Sequence, residues 1–349
     1  MAEEFGIKQI AELANVSIGT VDRVLHDRPG VSKATAKRIK EIIKKFGYQK
    51  NTVASRLKLA SYKKIVIAVL IPEASDNWSY WKIPKLGIDK ALEELKGLGV
   101  VVKYHSFADP RSFAIESAKI MAQDYTAVIS VPFFREESNT LLRRATMRGI
   151  PVVFLDTEME LDGKAYFVRQ NSHNAGMVAA RLLRGLVGNE GSYFVVNMLN
   201  PSGLHANNQQ RENGFREFFQ QVPNGSEVII KTINHPLKAT FEVSSEIETW
   251  FKKKGPKGVF VTNARSFLLP KILKSYGVEN TFIVGFDIND QNKECLLQNE
   301  IHFLIDQKPE LQGYSAIKGL FKYLTENDVS ELSMDIPVEI IVKENCGSV

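Results

Sequence analysis

An arginine six residues beyond a serine helix cap is the first feature of the chain with chemistry to offer. Ser17 precedes a short apolar-periodic stretch on which Ile18, Gly19, Thr20 and Arg23 take the outward positions. The fork of Arg23 suits a guanine edge or a phosphate, whereas the hydroxyls of Ser17 and Thr20 suit backbone contacts that set register on a duplex. Motifs of catalysis are not spelled out. The six histidines are scattered without a His-Glu-x-x-His spacing, and neither a Gly-x-x-x-x-Gly-Lys-Ser/Thr loop nor a Gly-x-Ser-x-Gly elbow occurs. Gly185, Gly188 and Gly191 follow a helical stretch rather than a strand, so they read as a loop. Cys295 and Cys346 are too few for a disulfide framework and lack metal-ligand spacing. The chain therefore reads as a binding protein rather than an enzyme, with no cofactor and no metal expected.

Three short amphipathic segments must position the first group. Ile7, Ile10, Ala11 and Ala14 recur at i, i+3, i+4 and i+7, one apolar helix face. A second helix is predicted from Ile18 to about His26, with Val21, Val24 and Leu25 facing inward, and Asp27-Arg28-Pro29-Gly30 is turn chemistry. Ser32 caps a third, Lys33–Phe46, with an apolar stripe of Ile39, Ile42, Ile43 and Phe46 and a separate rail of Lys33, Lys37, Lys40 and Lys44. Two helices joined by a tight turn and braced by a third make a helix-turn-helix unit, whose second helix enters the major groove. Charge agrees. Residues 1–64 hold ten lysines and four arginines against six acids, a net +8, while the remainder holds 31 basic and 34 acidic residues, a net −3. A basic head on a mildly acidic body points to a polyanion partner for the head alone.

The run Ile10-Ala-Glu-Leu-Ala-Asn-Val-Ser-Ile-Gly-Thr-Val-Asp-Arg-Val-Leu25, followed by Gly30-Val-Ser32 and Gly47-Tyr48, resembles the lactose-repressor (LacI) family of bacterial transcription regulators. The resemblance implies a homodimer on a pseudo-palindromic operator. It also implies that Asn51-Thr-Val-Ala-Ser-Arg-Leu-Lys58 is the family's hinge helix, with Leu57 as a minor-groove wedge and Asn51 and Arg56 on the DNA backbone. So short a helix is marginal alone and should order only when paired on DNA. Two positions depart from the pattern. Asp22 replaces a serine that contacts phosphate, and Lys50 replaces a frequent proline at the entry to the hinge. Ile18 and Gly19 offer little hydrogen bonding, so the operator sequence does not follow by analogy.

From Ile65 onward, short β-branched runs alternate with amphipathic helices. Predicted strands are Ile65–Ile71, Val100–Phe107, Ala127–Val131, Val152–Leu155, Tyr193–Met198, Val228–Ile233, Gly258–Thr262, Phe282–Asp287 and His302–Ile305, with helices such as Ile83–Leu98, Ser112–Gln123 and Ala175–Val187 between them. This pattern predicts doubly wound parallel sheets, and its length predicts two lobes with a ligand cleft at the carboxyl ends of the strands. The expected organisation is a helix-turn-helix domain at 1–48, a hinge at 49–61, and a two-lobed α/β domain at 62–349. The first lobe takes about 62–169 and 308–336, the second about 170–307 and 337–349.

The body resembles the LacI-family effector domain, itself similar to periplasmic ribose-type binding proteins. The markers are Leu155-Asp156, Gln170-Asn171, Arg211 in Arg-Glu-Asn-Gly-Phe, Thr262-Asn263, Val284-Gly-Phe-Asp287 and Asp306-Gln307-Lys-Pro. These suit a polyol. Asp156 and Asp287 accept hydroxyl hydrogen bonds, Arg211 donates in a planar fork, and Asn171, Asn263 and Gln307 do both. In binding proteins of this type aromatic rings cover the sugar, and here the candidates are Trp78, Tyr80 and Trp81, each of which is as readily a core residue. Thr157 stands where ribose-type sites have an arginine, which argues against ribose. Arg135, Arg169 and Arg265, on strand-end loops, fit either an acidic sugar or plain exposure.

The composition, 44% hydrophobic and 24% charged, is that of a globular chain. The longest aliphatic run, Ile65–Ile71, is far short of the about 20 residues a bilayer span needs, and the acidic Met-Ala-Glu-Glu start has no following apolar stretch. The expected protein is thus a cytoplasmic transcription regulator, with repression the expected direction. Its operator affinity would answer to a sugar or sugar derivative bound between the lobes. The alternative is an intracellular sugar-binding protein without gene control.

Overall fold

The computed structural model describes residues 6–25, 29–46, 64–74, 80–199, 205–236 and 242–347. The chain divides into two compact units, Met1–Lys58 and Leu59–Val349.

In the first unit the apolar periodicity folds into α1 (Ile7–Leu13), α2 (Ile18–Leu25) and α3 (Lys33–Phe46). They close a core of Ile10, Ala11, Ala14, Val21, Val24 and Ile39. Asn15 makes the turn between α1 and α2 in the left-handed region at φ +46°, a conformation in which asparagine is enriched. Ser17 Oγ accepts the Thr20 N–H at 3.1 Å and Ser32 Oγ the Thr35 N–H at 3.2 Å, so each serine caps the helix that follows it. Phe46 departs from the expected stripe and is 46% exposed. The physical reason is length: α3 has 14 residues against seven and eight for α1 and α2, and its end outruns the helices it packs on.

In the second unit the first run of elements is β1 (Ile65–Pro72), α4 (Lys82–Glu94), β2 (Val100–Phe107), α5 (Pro110–Met121), β3 (Ala127–Ser130), α6 (Arg135–Met147), β4 (Val152–Asp156) and β5 (Tyr166–Gln170). A second run follows: α7 (Ser172–Val187), β6 (Ser192–Leu199), α8 (Ala206–Gln221), β7 (Ile230–Pro236), α9 (Ser245–Phe251), β8 (Lys257–Val261), α10 (Leu269–Ser275), β9 (Thr281–Phe286), α11 (Asp290–Leu297) and β10 (Phe303–Asp306). The chain then returns through α12 (Pro309–Glu326) and β11 (Met334–Ile336), and crosses again to β12 (Glu339–Ile341).

Two six-stranded sheets result, ordered β11-β5-β4-β3-β1-β2 and β12-β10-β9-β8-β6-β7. The first is wholly parallel, and in the second only β12 runs antiparallel, against β10. Each sheet carries an apolar core on both faces, as a parallel sheet wrapped by helices must. This is the doubly wound α/β architecture that the alternation of patterns predicts. Three strands escape the sequence reading: β5, β11 and β12 are three to five residues long and carry Arg169, Asp335 and Glu339, so none reads as an apolar run. The chain passes between the sheets three times, after β5, β10 and β11, so each lobe is assembled from separated segments.

One helix pair in each lobe is drawn together by glycines. A Cβ on Gly176 of α7 would lie 1.9 Å from the Arg211 carbonyl oxygen, and one on Gly214 of α8 would lie 2.0 Å from that of His173. Across α4 and α12, a Cβ on Gly87 would lie 1.7 Å from the Glu310 oxygen and one on Gly313 would lie 2.0 Å from that of Pro84. Bare backbone at these points lets the helices touch. Gly176→Ala should therefore push α8 away from α7 at Arg211 and cost about 1–3 kcal/mol or more of stability, as overpacking does. A urea titration that leaves the unfolding midpoint unchanged would show that the helices can separate without loss.

Candidate functional sites

On the head, Ser17, Ile18, Gly19 and Arg23 are exposed and Thr20 is half-buried, while Val21 and Val24 on the opposite side of α2 are locked into the core. Ser17 and Thr20 spend their hydroxyls on each other at 2.9 Å as part of the cap. Ile18, Gly19 and Arg23 are left as the outward groups of the first two turns. Lys33, Lys37, Lys40 and Lys44 line a shallow groove along α3 with Ala36 and Glu41. A helix with one face fixed and an arginine on the other, beside a cationic helix, has the parts needed to read a groove and hold phosphates. Asn51, Arg56 and Leu57 lie outside the described residues, as does Trp78 of the other site.

In the body, side chains from both lobes converge at the carboxyl ends of the strands. Asp156 ends β4 and Asp287 directly follows β9, both in the left-handed region, at φ +67° and +63°. Non-glycine residues persist there only where their surroundings fix them, and such positions gather at ligand sites. The surroundings here are explicit. The Asp156 N–H donates to Gln312 Oε1 at 2.9 Å, and the Asp287 N–H donates to the Ile305 carbonyl at 3.0 Å. Asp156 Oδ2 accepts from Thr157 Oγ1 at 2.9 Å and, across the lobes, from Asn207 Nδ2 at 3.1 Å. Asp287 Oδ2 accepts from Gln307 Nε2 at 2.8 Å.

Arg211 is buried at the centre of the second lobe's contribution. Its Nη1 donates to the Thr262 carbonyl at 2.7 Å and its Nη2 to Gln307 Oε1 at 2.8 Å, with the guanidinium 3.7 Å from the Phe286 ring centroid. Asn208 Nδ2 donates to Thr262 Oγ1 at 2.7 Å. Three buried polar atoms aimed into this cluster, Tyr80 Oη, Asp287 Oδ1 and Arg211 Nε, have no hydrogen-bond partner among the described residues. Groups so placed are costly unless something pairs with them.

The electrostatics follow from burial. Asp287 is pushed up to about 7, first by desolvation and then by Asp306, against the pull of Arg211. Burial holds the Tyr80 phenol far above its usual range, reinforced by Asp156 and Asp287. It lowers Arg211, which the same two carboxylates oppose. Among aromatic groups, Tyr80 and Trp81 meet edge-on at 5.0 Å, Trp81 meets Phe133 at 5.5 Å, and Phe133 stacks on His205 of the other lobe at 4.1 Å. A groove of about 640 Å³ adjoins the cluster, lined by Ile83, Asp287, Ile288, Asp306, Pro309 and Tyr314 among others.

The structure thus brings together Tyr80, Asp156, Arg211, Asp287 and Gln307, but it places other expected residues differently. Gln307 is fully engaged, bridging Asp287 to Arg211, so it braces the cluster. Asn171 caps α7 by accepting the Asn174 N–H at 2.9 Å. Asn263 Nδ2 donates to the Met198 carbonyl at 2.8 Å and its Oδ1 accepts the Arg265 N–H at 3.3 Å, a loop staple. Trp81 is half-buried against the first lobe's core. Arg169 lies within β5 rather than on a loop, and pairs with Glu158 at 2.5 Å and with Asp335. Arg135 opens α6 and pairs with Glu160 at 3.6 Å. The sequence reading missed Phe133, His205, Asn207, Asn208 and Gln312. One signal was available: Asn207, Asn208, Arg211 and Glu212 share a helix face and are all buried, a polar stripe where an apolar one is usual.

Comparison with known proteins places these features in context. Residues 67–328 match the model of the periplasmic binding protein domain, and residues 6–51 match that of the bacterial regulatory proteins of the lacI family. The body is 23% identical over 290 residues to a D-apiose import binding protein of Paraburkholderia graminis, covering 81% of this chain and 88% of that one. The HTH-type transcriptional regulator RegA of Clostridium saccharobutylicum is 42% identical over 72 residues, about a fifth (21%) of each chain. A crystal structure assigned as a LacI transcriptional regulator from Bacteroides fragilis superposes with a TM-score of 0.71 at 23% identity, covering 82% of this chain and all of that one. Among the described residues no helix is long and apolar enough to cross a membrane.

Proposed function

Because the chain belongs to the lacI family of bacterial regulatory proteins, with a periplasmic binding protein domain as its body, we propose that it is a homodimeric cytoplasmic regulator whose affinity for a pseudo-palindromic operator is set by a neutral sugar bound between the lobes. The observation that carries the ligand reading is the set of three buried, unpaired polar atoms, Tyr80 Oη, Asp287 Oδ1 and Arg211 Nε, drawn from both lobes. A phenol, a carboxylate oxygen and a guanidinium N–H close enough to influence one another electrostatically are a donor and acceptor set for hydroxyls. Neutrality is favoured because Asp156, Asp287 and Asp306 outnumber Arg211, the one buried guanidinium among the described residues. An anionic sugar would meet like charge in a dry site. One head per chain supports two-fold recognition of DNA. Repression is the direction we assign.

Thermal unfolding against D-apiose, D-arabinose, D-galactose, myo-inositol and D-galacturonate tests the reading. A neutral ligand at about 100 times its Kd should stabilise the body by roughly 2.7 kcal/mol. Stabilisation by galacturonate alone would overturn it.

The raised Asp287 adds a pH signature. Its protonated form stabilises the ligand-free fold below the usual carboxylate range, and that contribution is lost as pH rises through about 7. Hydroxyls donating to the ionised Oδ1 reverse the penalty. The ligand-free melting temperature should fall between about pH 4 and pH 7 and level off above that, while the increment from bound sugar grows up to about pH 7, and Asp287→Asn should remove both trends. A sugar increment that shrinks as pH rises would contradict this assignment of Asp287.

A further inference from the structure

Gln312 is wholly buried in the first turns of α12. Both ends of its amide are committed. Oε1 accepts the N–H of Asp156 at 2.9 Å, and Nε2 donates to the carbonyl of Gln307 at 2.9 Å. Gln307 lies on the crossover between β10 and α12, and its own side chain grips Asp287 at 2.8 Å and Arg211 at 2.8 Å. A continuous hydrogen-bonded path therefore runs from Asp156 in the first lobe to Asp287 and Arg211 in the second, and it passes through a chain segment that must bend if the lobes move.

We propose that Gln312 is a positioning residue that couples the ligand-facing groups of the two lobes through the 306–309 crossover. The argument has three parts. Asp156 sits in a left-handed conformation that is disfavoured for an L-residue, and the amide oxygen of Gln312 holds its N–H there. The same amide holds the Gln307 backbone, so a shift of either lobe's carboxylate is transmitted to the other rather than absorbed. Finally, α12 is packed against α4 next to this point at Gly313, where an added Cβ would lie 2.0 Å from the Pro84 carbonyl oxygen. Ligand contact at Asp156 and Asp287 thus becomes strain or relief in the crossover. The inference rests on the reading that those two carboxylates meet the sugar.

The test uses the full chain with Gln312→Met, which keeps the length of the side chain and removes both bonds. Three quantities are read: the melting temperature, calorimetric affinity for whichever panel sugar stabilises the wild type most, and the ratio of operator affinities with and without that sugar. The variant should bind sugar about tenfold more weakly, and its operator ratio should fall toward one even at saturating sugar. A lower melting temperature with unchanged sugar affinity and unchanged operator ratio would mean a purely structural glutamine and overturn the proposal. Gln312→Glu, which keeps the acceptor for the Asp156 N–H and loses the amide donor, covers the case in which Gln312→Met does not fold. It should retain most of the sugar affinity and lose most of the operator response, and wild-type behaviour in both would also overturn the proposal. A wild type that binds none of the sugars overturns the functional reading and this inference with it. A wild type that binds, beside variants that respond equally, overturns this inference alone.

Discussion

Arg23→Ala should cut discrimination between operator and random duplex by roughly 30-fold or more while the head stays folded. Arg23 is exposed on α2, the core of the head being closed by Val21 and Val24 on the other side, so truncation removes reach without removing packing. A bidentate arginine–guanine contact is worth about 1–3 kcal/mol of discrimination, and a two-fold complex loses it twice, for a combined drop of roughly 30-fold or more. The cationic face of α3 still attracts phosphate, so affinity for scrambled DNA should change far less. Fluorescence anisotropy with an operator obtained by selection from random duplexes, run beside a scrambled control, gives both numbers. Operator affinity equal to wild type would remove α2 from the role of reader.

Removing the Asp287 carboxylate should cost at least tenfold in sugar affinity, equivalent to about 1.4 kcal/mol, because hydrogen bonds to a charged group each contribute roughly 1.5–3 kcal/mol. Asp287→Ala deletes the unpaired Oδ1 and also releases Gln307, whose Nε2 loses its acceptor. The second effect loosens Arg211 by way of Gln307 Oε1, so the loss should exceed that of any single contact made from the rim. Calorimetry on the variant, with circular dichroism to show that the body is folded, decides the matter. A folded variant that binds sugar as the wild type does would place the ligand elsewhere. Arg211→Ala should lose affinity at least as severely, and stability too, since the guanidinium packs on Phe286 and holds the Thr262 backbone in the core.

Much of this was legible before any coordinates, for reasons specific to each element. The head is short and locally determined: the spacing of Ile10, Ala11, Ala14, Val21 and Val24, with serine caps at Ser17 and Ser32, leaves little freedom in how three helices close. The main strands of the body were legible because a parallel strand covered on both faces is buried along its whole length, as β3, β4 and β8 are, and so reads as a nearly continuous apolar run. Asp156 and Asp287 were singled out by the family resemblance, and they stand at the ends of such runs, where α/β sheets present groups to a ligand.

The partners of those residues were decided only by tertiary structure. Gln307 and Asn263 look like ligand groups in sequence, since an amide that donates and accepts serves a sugar or a neighbouring chain segment equally well. Folding assigned one to Asp287 and Arg211 and the other to the Met198 carbonyl. Gln312 carries no local signal at all, and the polar face that holds Asn207 does not name its partner, because what makes both matter is a contact with Asp156 from 156 and 51 residues away along the chain. Sequence by itself thus determined the elements, the basic reader and the carboxylates at the strand ends, all fixed by interactions within a few residues. Which polar groups stay unpaired and face the cleft depends on how three crossovers superimpose distant segments, and a local pattern holds no information about that.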